Sequence, residues 1–327
     1  MQLGAYPPRL SILTPHLRRL AVLLAGGLLA TSVSGAILYW DTNGNTAGAG
    51  ATPNGTWSTS GGTNKKWSTN ANGGSTATWT SGSDAVFSAG TDAVNAYTVT
   101  LSGTQNVSSI NVQEGSPTFS GGTAINFNDA SPDFTVASGS TATVSTGLTG
   151  SNGLNKLGAG TLIFTTSDKA YTGTTTISAG TLQTNFNQTF TTVTLGGGTL
   201  ALNSATTSIT TLNLTANSTI DFSSAVNATL NLTTLNLNGF TLNITNWTAA
   251  ADHFYATNWT GATQDVMGVA PMNLVTISGF TANQTGWDSY DNQIRPNVPE
   301  ARTYGALLLG ALTGLFAWRR LMRRPAC

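Results

Sequence analysis

The sequence predicts an all-β protein, a right-handed single-stranded parallel β-helix with a cap at each end, and three observations carry that expectation. First, Gly-Ala-Gly-Thr-Leu at 158–162 returns as Ser-Ala-Gly-Thr-Leu at 178–182 and Gly-Gly-Gly-Thr-Leu at 196–200. Steps of roughly twenty residues suit one coil of a solenoid, which cannot bury its apolar face alone and must stack on the next. Second, Leu and Asn alternate through Thr211–Leu214, Leu230–Leu232, Leu235–Asn238 and Leu242–Thr245. That period of two belongs to strands with one buried face. Third, no stretch of the body shows a helical apolar stripe with capping residues.

The 327 residues must be trimmed at both ends before the body is read. Residues 1–36 carry Arg9, Arg18 and Arg19, the apolar run Leu20–Ala30, and the small residues Ser34-Gly35-Ala36. This is the layout of a secretory signal peptide, with an apolar run too short for a membrane span. Cations crowd the two ends, so the formal net charge of zero misleads. Between Ile37 and Asn297 the basic residues are Lys65, Lys66, Lys156, Lys169 and Arg295, against eleven aspartates and Glu114. An acidic Thr/Asn/Ser surface offers phosphates no cationic track, so nucleic acid is excluded as a partner. Cys327 is the only cysteine, which leaves packing and backbone ladders to hold the fold.

In chain order, residues 37–290 form the β-helix domain. Residues 37–96 are read as an N-terminal cap with the first coils: Trp57-Ser58-Thr59, Trp67-Ser68-Thr69 and Trp79-Thr80-Ser81 recur between turn clusters. Indoles at that spacing plug the open end of a stack; a displayed sugar-binding row is the alternative. Core coils follow over 97–245, with rungs at Tyr97–Leu101, Val107–Val112, Ala124–Phe127, Phe134–Val136 and Ala142–Val144. Stacked at the usual strand spacing, they make a rod of about 40 Å. Residues 246–290 gather Trp247, His253, Phe254, Tyr255, Trp259, Trp287 and Tyr290, and are read as a C-terminal cap or a divergent last coil. Residues 291–297 are read as a polar linker, and 298–327 as a separate tail.

Two stretches resemble known families. Leu154, Lys156, Gly158, Gly160, Thr161, Leu162, Tyr171, Thr172, Gly173, Thr174, Ile177, Gly180, Thr181 and Leu182 occupy the positions of an autotransporter-associated β-strand repeat over 154–182. The resemblance implies a secreted, surface-displayed β-helix and no particular activity. The tail is similar to a PEP-CTERM sorting signal: Val298, Pro299, Glu300, Thr303 and Tyr304, an apolar stretch over 305–318, then Arg319, Arg320, Arg323 and Arg324. Ala301 stands where that family has its second proline. This resemblance implies transient anchoring by a transmembrane helix in the inner membrane and processing by an exosortase-type protease, with the arginines cytoplasmic.

Little in the body points to chemistry. His253 is its sole histidine, so a His cluster for zinc cannot be built, and no Gly-x-Ser-x-Gly elbow accompanies it. Asp84 and Asp92, Asp129 and Asp133, and Asp288 and Asp291 lie beside turn residues, where local side-chain bonds account for them. Calcium would need further oxygen ligands at either of the last two pairs. No catalytic, metal or cofactor site is expected. The reading is an exported cell-envelope or outer-surface protein with a structural or adhesive role. The alternative is a carbohydrate-binding or carbohydrate-active β-helix using the aromatics of 247–290, with envelope or extracellular polysaccharide as partner.

Overall fold

The computed structural model describes residues 35–296 apart from 167–168, 204–205, 224–226, 249–250, 260–269 and 282–283. All but the last two residues of the expected signal peptide, and the whole tail from Val298 with its transmembrane stretch, lie outside the described residues. The body is an all-β parallel solenoid of about eight coils, built as a 15-stranded and a 10-stranded sheet. Among the described residues the only helical turns are Gly62–Asn64 and Met272–Leu274. None is long and apolar enough to cross a membrane.

Register carries the Gly-x-Gly-Thr-Leu recurrence directly into space. In the second sheet Thr141–Val144, Thr161–Phe164, Thr181–Thr184, Thr199–Leu202, Ser218–Asp221, Leu242–Thr245 and Val275–Ile277 pair parallel, each with the next. Ala142, Leu162, Leu182, Leu200, Ile220, Ile244 and Ile277 therefore form one buried column, with Thr161, Thr181, Thr199 and Thr219 lined up on the outer side. Each buried Leu or Ile contributes roughly 1.5–3 kcal/mol. The corners before Thr161–Phe164 and Thr181–Thr184 need glycine. Gly158 and Gly180 have φ of 72° and 63°. A Cβ on Gly158 would strike the Val136 carbonyl, and one on Gly180 the Gly160 carbonyl of the coil before it.

Lys156 of the repeat takes an inward position. In the first sheet it lies between Phe134 and Ile177, and it is fully buried. Its ammonium donates to three backbone carbonyls at the corner, Leu157 O at 2.8 Å, Gly158 O at 2.8 Å and, one coil on, Ala179 O at 3.2 Å. A buried charge is tolerated only when hydrogen-bonded in this way. Lys169 is also buried, donating to Thr146 O and Thr166 Oγ1 with its nitrogen 5.3 Å from the centre of the Phe164 ring.

At the N-terminal end Ile37–Trp40 pairs parallel with Ser83–Phe87 and antiparallel with Trp67–Ser68. Trp40, Trp57, Trp67, Trp79 and Phe87 fill the interior there, with ring centroids 4.5 Å apart for Trp67 and Trp79 and 5.1 Å for Trp40 and Trp67. None of these indoles is left displayed for a sugar.

Of the two expectations for the C-terminal end, a cap or a divergent last coil, its first strands answer to the second. His253–Trp259 and Val275–Ile277 pair parallel with the coil before them, so 246–290 opens as a further coil. The polar linker expected at 291–297 is instead largely a strand, Gln293–Pro296, antiparallel to both Thr285–Asp288 and His253–Trp259. Its one apolar side chain, Ile294, is fully buried, while Arg295 sits between Asp288 and Asp291. A single Ile among polar residues gave no alternation to read. Asn238, placed at the end of a Leu/Asn rung, has φ of 52° and lies in a turn.

Two outcomes follow for the solenoid Ile37–Pro296. Leu182→Asp puts a carboxylate between Leu162 and Leu200, and is expected to lower the melting temperature sharply; an unchanged melting curve would contradict the packing. The second concerns pH. Burial pushes Lys156 down to about 8 from an ordinary 10.5, so across that window the unfolded chain holds a proton that the folded chain has lost, and stability rises. Burial raises Tyr97, with Glu114 adding to it, and also raises Tyr171. Above pH 10 only the unfolded chain ionises these phenols, and stability falls. Melting temperature should therefore rise above about pH 8 and fall again above about pH 10, and Lys156→Met should abolish the rise while keeping the fall.

Candidate functional site

The outer wall near the C-terminal coils carries a shallow polar groove. Gln188–Leu195, Thr206–Leu214, Thr229–Asn236 and His253–Trp259 stack parallel and in register. Their alternation sends Phe190, Ile209, Leu232 and Ala256 inward and aligns Thr189, Ser208, Asn231 and Tyr255 on the outside. The ladder then skips one residue per coil. Phe190 pairs with Ile209 and Thr192 with Thr211, and the same gap recurs around Thr233 and Thr257. The chain bends there, leaving Thr191, Thr210, Thr233 and Thr257 exposed.

The depression beside this bend has a volume of about 250 Å³ and is lined by Thr189, Ser208, Thr210, Asn231, Thr233, Tyr255 and Thr257 over the edges of Ile209 and Leu232. No charged side chain lines it. Among the described residues, none of its hydroxyls, nor the Asn231 amide, is hydrogen-bonded to another protein group. Elsewhere on the wall, outward asparagines are zipped to neighbours: Asn126 donates to Asn106 at 2.9 Å and Asn236 to Asn213 at 2.7 Å. Tyr255 closes the groove at its C-terminal end. Its ring stacks on His253 with centroids 5.8 Å apart and planes 21° apart, and His253 Nδ1 lies 3.0 Å from Gln293 Nε2.

The aromatics expected at 247–290 are thus divided. Phe254 is in the core, Trp247 packs edge-on to Phe222 at 5.0 Å, and the Trp287 indole donates to Ala256 O. Only Tyr255 joins the groove; Tyr290 is exposed in the turn between the last two strands, and the Trp259 side chain lies outside what is described. The paired carboxylates are all engaged, Asp129, Asp288 and Asp291 by near neighbours as expected, but Asp84, Asp92 and Asp133 by groups 22 to 43 residues away, which the turn reading did not foresee. Both oxygens of Asp92 accept backbone N–H groups, from Ala49 and Gly50. Asp84 accepts from Ser109, Asp129 from the Ser131 amide, and Asp133 from Asn155. Asp288 and Asp291 close on the Arg295 guanidinium, so their oxygens face a side chain of this chain.

The repeat residues Gly158, Gly160, Thr161, Leu162, Tyr171, Gly173, Gly180, Thr181 and Leu182 do not line the groove; Thr161, Leu162, Thr181 and Leu182 are rungs of the other sheet, and Gly158 and Gly180 turn the corners before them. Tyr171 packs against the core and bonds Thr175 Oγ1 at 2.8 Å. The groove itself was not anticipated, although a signal exists. Phe190-Thr191-Thr192-Val193, Ile209-Thr210-Thr211-Leu212 and Leu232-Thr233-Thr234-Leu235 each break the period of two with a paired threonine, which marks a bend.

Comparison with known proteins agrees with the repeat. The passenger-associated-transport-repeat family matches residues 154–184. The chain is 32% identical over 170 residues to the adhesin BmaC autotransporter of Brucella suis biovar 1 (strain 1330). That match covers 51% of this chain and 5% of the relative's length. No solved structure matches the chain. The chain is a parallel β-solenoid that carries an autotransporter-associated repeat and resembles, in part, an autotransporter adhesin.

Proposed function

We propose that this chain is an exported bacterial surface protein, a passenger-like β-solenoid with a non-catalytic structural or adhesive role. The observation that carries the reading is the passenger-associated repeat seated within an uninterrupted stack. Its Leu162 and Leu182 belong to the same buried column as coils on either side. Such a stack presents the same outer wall over and over, which suits contact with an extended surface. The likeness to part of an adhesin supports the same role.

The address rests on the sequence of the two ends. A signal peptide over 1–36 starts export, and the apolar stretch 305–318 with Arg319, Arg320, Arg323 and Arg324 holds the chain briefly in the inner membrane, arginines inside. Val298-Pro299-Glu300 then lies at the outer face of that membrane, where Pro299 keeps the chain extended for an exosortase-type protease. Processing releases the solenoid to the outer surface.

Intact-mass measurement of the protein from a Gram-negative host, with protease shaving of whole cells, tests both halves. The expected product begins after Ala36, lacks Trp318 and Cys327, and is cleaved by protease added outside. A product in the inner membrane that retains Arg319–Arg324 would end the sorting reading, and one resistant to shaving would end the surface reading.

A further inference from the structure

We propose that the groove lined by Thr189, Ser208, Asn231 and Tyr255 binds an uncharged glycan chain laid along the solenoid axis, with a sugar ring against Tyr255. This deepens the surface-adhesion reading above and rests on it. The lining supplies six hydroxyls, each both donor and acceptor, and one amide with both functions. That set answers the hydroxyls of a sugar, whichever way each is turned. The tyrosine adds the flat apolar face on which a pyranose ring is held, steadied from behind by its stacking on His253.

Charge excludes the acidic polymers. Lys156 and Lys169 are spent on buried carbonyls, and Arg295 is closed by two aspartates. Lys65 and Lys66 lie beside the Gly62–Asn64 turn in the N-terminal part of the chain. A polyanion would therefore find no cation along the groove, in a body that is itself acidic.

Geometry disfavours a peptide. Strand addition needs an open edge, but Thr206–Leu214 and Thr229–Asn236 are paired on both sides. A docked helix needs a row of large apolar anchor pockets, whereas here the apolar surface is threonine methyls, Tyr255 and the edges of Ile209 and Leu232. What remains is a regular polar track. Its Thr189, Ser208, Asn231 and Tyr255 rungs recur at the strand spacing of about 4.8 Å, so a polymer of repeating units meets similar groups at each step.

The test is affinity electrophoresis of the purified full chain through native gels cast with dextran, xyloglucan or glucomannan, and, in parallel, polygalacturonate or alginate. Retardation by at least one neutral polymer and by neither acidic one is expected. Tyr255→Ala should weaken it about tenfold or more, Asn231→Leu and Ser208→Val severalfold, and Thr219→Val, on the other sheet, should leave it unchanged. Melting curves accompany each variant; if Tyr255→Ala fails to fold, the Asn231→Leu and Ser208→Val pair decides. The proposal is overturned by retardation in no neutral gel, by equal retardation in acidic gels, or by folded groove variants that migrate as the parent does. Shaving of cells separates the two readings. Surface-exposed protein that binds no neutral polymer sinks the glycan inference alone, whereas protein sealed inside the cell sinks the surface reading whatever the gels show.

Discussion

In-register stacking is the constraint on which everything else in this chain depends. In a parallel solenoid each residue has its own counterpart directly above and below, at about 4.8 Å, so a column must be acceptable to itself. Leu162, Leu182 and Leu200 satisfy that by burying like on like, and Thr161, Thr181 and Thr199 by stacking β-branched side chains on the outside. The corners obey it too. A side chain at Gly180 would run into the carbonyl of Gly160, one coil away, so glycine follows from stacking as much as from the local turn.

Lys156 is the exception that shows how strict the rule is. It stands in a column otherwise made of Phe134, Ile177 and Leu195, and its stem fills that place while its ammonium turns to the corner carbonyls. The amine ties Gly158 of its own corner to Ala179 of the next, so a charge that would be costly in a dry column becomes a clasp between coils. The ends follow a different logic. A stack that simply stopped would leave an edge open to further pairing. At one end aromatic rings fill the interior, and at the other Gln293–Pro296 pairs antiparallel with the last coil and carries Thr285–Asp288 on its far edge.

The outer wall is where function has room to differ from structure. Columns that zip to themselves, as Asn106 with Asn126 or Asn213 with Asn236, spend their hydrogen bonds on the stack. The column through Ser208 and Asn231 leaves its polar groups toward solvent beside a bend, next to a half-exposed tyrosine. The zipped columns set Asn on Asn, whereas the groove column runs Thr189, Ser208, Asn231 and Tyr255, so Asn231 has no amide above or below it to pair with.

From the sequence alone, the period of two and the glycine step determined the β-solenoid, its inward leucines and several rungs almost residue by residue, including Ala124–Phe127 and Leu242–Thr245. These are local signals: alternation states which face is buried, and glycine states where the chain turns. Tertiary structure decided the rest, because it depends on which coil lies next to which. Lys156 is only a repeat-pattern residue in the sequence until Phe134 and Ile177 close over it, and Gln293–Pro296 reads as a spacer until Ile294 finds the last coil. The groove needed both. Its threonine pairs are legible as bends, but Thr189, Ser208, Asn231 and Tyr255 are some twenty residues apart in sequence, and only the register brings them into one track.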